Sequence, residues 1–232
     1  QRLSEANFVF CIEMARSGRL GEVHTARAHI APWDAAEMTH DWLPPEPVPP
    51  KDVVDWDLWL GPCPWRPFNS SYVRGGWRGH YDFHTSCIGE WGAHTFAQAQ
   101  AGLAMLDTSP VEYEYVKNPT GDGMVTKFAN GTKMILNREG WKGSCGMRFE
   151  GSEGWVSAAD GYEKPEVSNP AMLADFDKIV KDYIERTGRP MNHARNFLDC
   201  VRSRKSTVAN AEVMFHSMTT VHAANICMWL KR

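Results

Sequence analysis

The sequence predicts an α+β domain: a mostly antiparallel β-sheet with helices packed on one face. Three observations carry this expectation. Residues 4–17, 86–106 and most of the chain after Pro170 place apolar or small residues at helical spacing. Between 111 and 160 the period shortens, and "VEYEYVKN", "GMVTKFAN", "TKMILNRE", "CGMRFEG" and "GWVSAAD" read as consecutive short strands of an antiparallel meander. The order helix, strand, long loop, helix, several strands, helices groups like elements together instead of alternating them.

The elements follow in order. Ser4 is a plausible N-cap for a helix on which Phe8, Ile12 and Ala15 recur, and Gly18 and Gly21 stop it. "EVHTARAHIAPW" alternates and reads as a strand. Residues 34–80 form a long Pro- and Trp-rich loop, in which only "VVDWDLWLG" looks helical. Loops of that length in a compact domain are usually functional or disordered, and the tryptophans argue for order. Ala93, Ala97, Ala99, Ala101 and Ala104 suit the 86–106 helix to close packing. Asn130-Gly131 signals a type I′ hairpin, and Ser152-Glu153-Gly154 a second turn. Helices are expected at about 171–186, 190–203 and 209–230, with Gly188 and Pro190 as punctuation.

Composition narrows the class. The chain has 232 residues, of which 43% are hydrophobic, enough for one substantial core and for one or two domains. A net charge of -3 and scattered basic residues give no nucleic-acid footprint, and "VRSRK" at 201–205 reads as a solvated helix end. No apolar run reaches membrane-spanning length, and "QRLSEANFVF" lacks the basic and apolar regions of a signal peptide. Six cysteines without a C-x-x-C pair read as reduced thiols in a cytoplasmic protein.

"EWGAH" at 90–94 is the candidate chemistry. Residues four apart on a helix share a face, so Glu90 and His94 can point into one cleft. An imidazole can take a proton from a hydroxyl while a carboxylate stabilises the imidazolium. The same pair is also what an ordinary packed helix start can contain, and the pair alone leaves both readings open. Upstream, His80, Asp82 and His84 alternate in "GHYDFHTS" and would share a face on a strand. They read as the polar rim of a cleft, because H-x-D-x-H lacks a sharp metal spacing. There is no G-x-G-x-x-G between a strand and a helix, no P-loop and no G-x-S-x-G.

"DWDLWLGPCPWRPFN", "WRGHYDF", "EWGAHTFAQAQ", "FEGSEGWV" and "NFLDCVRSRK" together resemble the Gfo/Idh/MocA family of oxidoreductases, in family order and across nearly the whole chain. The resemblance implies a C-terminal substrate-binding and oligomerisation domain, with the Rossmann domain that binds NAD or NADP outside these residues. His94 matches the histidine of the family's D-x-G-x-H-x-x-D pattern, Glu90 stands for its first Asp, and Ala97 replaces its second. The implied roles are proton acceptor for His94 and its orienter for Glu90. Trp77, Arg78, His80, Asp82 and His84 would bind a sugar or polyol substrate. The family's E-K-P lysine belongs to the Rossmann domain, so Glu163-Lys164-Pro165 inherits no role. The resemblance also implies a homo-oligomer formed through the open sheet face. Two other readings stand beside it: a cofactor-independent lyase or hydrolase using the same cleft, and a carbohydrate-binding module.

Overall fold

The computed structural model describes residues 1–30, 38–117, 122–136 and 144–232. After a 3₁₀ turn at Arg2–Ser4, helix α1 (Ala6–Arg16) leads into β1 (Val23–His29). The lobe that follows carries α2 (Trp56–Leu60), α3 (Ser70–Val73) and a 3₁₀ turn at Gly76–Gly79. Helix α4 (Ser86–Gly102) precedes β2 (Glu112–Val116), β3 (Gly123–Lys127), β4 (Lys133–Leu136), β5 (Ser144–Gly151), β6 (Gly154–Asp160) and β7 (Glu166–Val167). A 3₁₀ turn at Pro170–Asp175 opens the last section, α5 (Phe176–Thr187), α6 (His193–Ser203) and α7 (Ala211–Leu230). The tail of the expected strand "TKMILNRE" lies outside the described residues, as do the last residue of "VEYEYVKN" and the start of the 34–80 loop.

The sheet order is β2-β3-β4-β1-β5-β6-β7, and every described pair is antiparallel except β1 with β4. The expected meander is therefore split. β1, from the start of the chain, enters between β4 and β5, because its Ala26 and Ala28 complete the apolar layer between Met134 and Leu136 on one side and Met147 and Phe149 on the other. That layer faces α1, α4 and α7. Arg27 and Glu150 lie on the opposite face, where Arg27 Nε donates to Glu150 Oε1 at 2.6 Å.

Helix α4 is the keystone of the helical layer, packing on α1, α7, β1 and β5. Gly102 is required there: a Cβ at that position would overlap the Phe149 ring. The helix ends earlier than its alanines suggest. Ala104 turns left-handed at φ 59°, Ala104 N–H donates to Ala101 O at 3.2 Å, and Met105 N–H to Gln100 O at 2.7 Å, a Schellman closure.

Two local expectations change. Ser4 does not cap α1: Glu5 holds the N-cap position with no side-chain bond, and Ser4 Oγ sits 3.0 Å from His193 Nδ1. The Asn130 turn is not type I′, since only Gly131 has positive φ, at 89°. Gly131 N–H donates to Phe128 O and Phe128 N–H to Thr132 O, both at 2.9 Å, which makes a three-residue loop with a glycine bulge.

The 38–85 lobe has a small core of its own. Trp56, Leu60, Phe68 and Tyr72 are buried together, with Val54, Trp59 and Phe83 packed against them. Arg66 is fully buried among them. Its guanidinium pairs with Asp82, lies 4.6 Å from the Phe83 ring and 5.4 Å from Tyr72, and Trp56 Nε1 donates to its carbonyl at 2.9 Å. Trp56 and Trp59 thus pack into this segment's core, while Trp42 and Trp65 are exposed.

Candidate active site

The start of α4 is clipped to α7 by one buried side chain. Ser86 Oγ donates to Asn225 Oδ1 at 2.6 Å, and Asn225 Nδ2 donates to Thr85 O at 2.6 Å. Ser86 holds φ at 64°, a conformation that non-glycine residues take up only where their surroundings fix it. The clip sets where the first turns of α4, and hence Glu90 and His94, sit against the lobe.

Glu90 and His94 do lie on successive turns of α4, but they engage different partners. Glu90 Oε1 is 3.4 Å from Arg78 Nη2, and its Oε2 is 3.5 Å from His84 Nε2. No hydrogen bond joins Glu90 to His94 among the described residues. The physical reason is supply: the loop at 76–84 brings two cation-capable groups to the carboxylate, and helical proximity alone gives no bond direction.

His94 is half-buried, with its ring tilted 40° to Trp91 at 6.0 Å. Arg2, Ala97, Gln98 and Met214 line the pocket beside it. Arg2 is held there by Asp160, at 2.6 Å, and Glu5, at 2.7 Å. Burial, and then the Arg2 charge, lower the His94 pKa, while Asp160 and Glu5 oppose them. The ring is therefore neutral at neutral pH, the form able to accept a proton.

His80, Asp82 and His84 do not share a face. They fall in the turn after the 3₁₀ segment, not on a strand. His80 is buried against Tyr72, with ring centroids 5.0 Å apart, and Asp82 pairs with Arg66, so both belong to the lobe core. His84 faces the cleft beside Trp77, at 5.2 Å, while Arg78 stacks on Trp77 at 4.4 Å and is exposed. Of the five expected substrate-binding residues, Trp77, Arg78 and His84 thus gather at Glu90, while His80 and the Asp82 carboxylate serve the lobe core. Among the described residues no three His, Cys, Asp or Glu side chains group as a metal site. Nor does any described strand lead through a glycine-rich turn into a helix.

Local sequence gave no signal for Arg2, which reaches Asp160 from 158 residues away. Arg66, in "PWRPF", carried a weak one: an arginine set between aromatics and prolines.

With this geometry in place, the chain can be compared with known proteins. Residues 22–232 match a Gfo/Idh/MocA family model described as the C-terminal alpha/beta domain of an oxidoreductase family. The chain belongs to this family. Similar solved structures include the WlbA dehydrogenase from Chromobacterium violaceum in complex with NADH and UDP-GlcNAcA (TM-score 0.55, 13% identity, covering 100% of this chain and 58% of that one). The WlbA dehydrogenase from Bordetella pertussis, with the same two ligands, gives TM-score 0.53 and 10% identity over 97% of this chain and 60% of that one. An aldose-aldose oxidoreductase from Caulobacter crescentus complexed with glycerol gives 0.50 and 14%, over 100% and 61%. At these identities the likeness establishes the Gfo/Idh/MocA C-terminal fold alone. The chain spans about three fifths of the length of these relatives. No curated protein matches it by sequence. Among the described residues no helix is long and apolar enough to cross a membrane.

Proposed function

We propose that this domain supplies the substrate-side wall of an NAD(P)-dependent oxidoreductase acting on a sugar, polyol or cyclitol hydroxyl, with His94 accepting the hydroxyl proton. The carrying observation is His94 itself: a half-buried, neutral imidazole lining a pocket, at the family's histidine position. Hydride acceptance needs a nicotinamide. In this reading it is held by a domain outside these residues, consistent with a chain that spans three fifths of its relatives.

Exposed apolar side chains support that arrangement. Phe215 of α7 is exposed, its neighbour Met214 lines the His94 pocket, and Phe197, Leu198 and Val201 of α6 are exposed as well. A second domain docking on Phe215 would cover it beside His94. The outer sheet face, with Arg27, Glu150 and Lys127, is the surface we assign to homo-oligomerisation. Six free cysteines fit a cytoplasmic setting.

The test is turnover by the native gene product with NAD or NADP and a panel of neutral sugars and polyols. His94→Asn should lower kcat by about 10²- to 10⁴-fold with the circular dichroism spectrum unchanged. Because the His94 pKa is lowered, the acid limb of kcat/KM should fall below pH 6.5, the ordinary histidine value. Undiminished turnover by His94→Asn, or turnover that needs no nicotinamide, would sink the reading.

A further inference from the structure

We propose that Asn225 and Ser86 are positioning residues for the chemistry at His94: Asn225 holds Ser86 in a left-handed bend, and that bend fixes the loop before α4 against the helix that carries Glu90 and His94. This rests on the oxidoreductase reading above and adds to it the device that sets the shape of the cleft.

The argument begins with a conformation that serine does not choose. Ser86 is the first residue of α4 and holds φ at 64°, where a Cβ crowds the backbone. Glycine takes that conformation freely, whereas serine needs surroundings that impose it. Here they are specific. Ser86 Oγ donates to Asn225 Oδ1 at 2.6 Å and accepts from Ile88 N–H at 3.2 Å. Asn225 Nδ2 donates to Thr85 O at 2.6 Å. A carbonyl only accepts, so the amide nitrogen must face Thr85, and the amide oxygen is left for the serine. Both side chains are buried.

A helix start has no general need of such a bend. Helices α6 and α7 begin from extended Asn192 and Asn210, whose own side chains accept from N–H groups of the first turn. Thr85, at the same position before α4, makes no side-chain cap bond. Its side chain lies over the next turn instead, where a Cβ on Gly89 would overlap Thr85 Oγ1. The helix bearing the candidate histidine has thus exchanged a local cap for a strained entry, held by a residue 139 positions away.

A second contact on α7 shows what the bend serves. Trp229 lies four residues after Asn225 and so on the same face of the helix. Its ring meets Tyr81 edge-on, with centroids 4.6 Å apart. One face of α7 therefore grips the loop at Tyr81 and again at Thr85 and Ser86. The body of α4 is fixed by α1, β1 and β5, so a change of φ at Ser86 moves the loop and not the helix. That loop carries Trp77, Arg78 and His84, and the bend decides where they meet Glu90.

The experiment uses the native gene product and a matched pair of substitutions, Ser86→Ala and Ser86→Gly. Both remove the hydroxyl, but only alanine keeps the Cβ that opposes the left-handed bend. Amide hydrogen exchange over residues 81–90 reads the loop without any ligand. The value of kcat/KM, taken with NAD or NADP and the best substrate of the sugar and polyol panel, reads the chemistry. Ser86→Ala and Asn225→Ala should each quicken exchange and lower kcat/KM on the order of tenfold or more, because a displacement of about 1 Å is enough for such a loss. Ser86→Gly should stay within about threefold of the unsubstituted protein in both, since glycine keeps the bend unaided. In the Ser86→Gly background, adding Asn225→Ala should cost far less than it does alone. A merely structural contact gives the reverse order, because glycine loosens a helix start more than alanine does. Alanine matching or outperforming glycine, or an Asn225→Ala loss undiminished in the Ser86→Gly background, overturns the proposal. Should Asn225→Ala fail to fold, the Ser86 pair decides. An unsubstituted protein without nicotinamide-dependent turnover sinks the oxidoreductase reading instead, and the exchange order of alanine and glycine still tests the bend.

Discussion

The helix-covered sheet and the 38–85 lobe bury side chains of different kinds. Under the helices lie Phe10, Phe96, Phe149, Met134 and Met147, an apolar cluster drawn from strands and helices far apart in sequence. In the lobe the largest fully buried side chain is an arginine, ringed by Tyr72 and Phe83 and neutralised by Asp82. The first core is held by area removed from water, which is non-directional and tolerant. The second depends on one charge pair in which neither partner can be lost alone. The difference suits their places: the sheet carries α4, while the lobe must hold Trp77, Arg78 and His84 in one arrangement against Glu90.

That contrast can be broken by substitution. The largest effect is expected in the sheet. Phe149→Ala removes a fully buried ring that packs on Gly102 and should cost about 3–5 kcal/mol. Urea denaturation should show the whole domain shifting in one transition; a loss below about 1 kcal/mol would mean the site is not core. Asp82→Asn comes next. It leaves Arg66 buried without a counter-charge, at a cost of about 3 kcal/mol, and the damage should stay local. Hydrogen exchange should quicken across the lobe with the sheet amides unchanged. The double variant Arg66→Met, Asp82→Leu should recover much of the loss, because it removes both charges together. Uniform exchange across both regions would refute the two-core description.

The mildest test changes only pH. Burial is the leading cause of a lowered pKa for His80, His94 and His193; the charges of Arg66 on His80 and Arg2 on His94 add to it. Each folded pKa then lies below the unfolded value, so below pH 6.5 the unfolded chain binds more protons than the folded one. Stability should be full above that pH and decline gradually beneath it, with His80→Asn flattening the lobe's share. Stability that holds or rises between pH 6.5 and 5.5 would contradict the sign.

Much of the fold was legible because it is local. Period-two alternation marked β1 and the runs from 112 to 160, and the stretch after Pro170 broke into three helices near the expected bounds. Asp55, whose side chain accepts from Leu58 N–H, caps the short helix expected at "VVDWDLWLG". Strand order was not legible. β1 pairs with β4 and β5 more than 100 residues away, and its own residues say only that both its edges can be paired.

The site divides the same way. The sequence by itself determined that Glu90 and His94 share a helix face, since the helical repeat settles that without any other part of the chain. Only the tertiary structure decided which partner each side chain takes. It turned Glu90 toward Arg78 and His84, set Arg2 and Asp160 beside His94, and took His80 and Asp82 into a second core. Backbone periodicity depends on neighbours a few residues away, whereas a hydrogen bond or ion pair depends on whatever the fold brings within about 3 Å, and no local pattern encodes that.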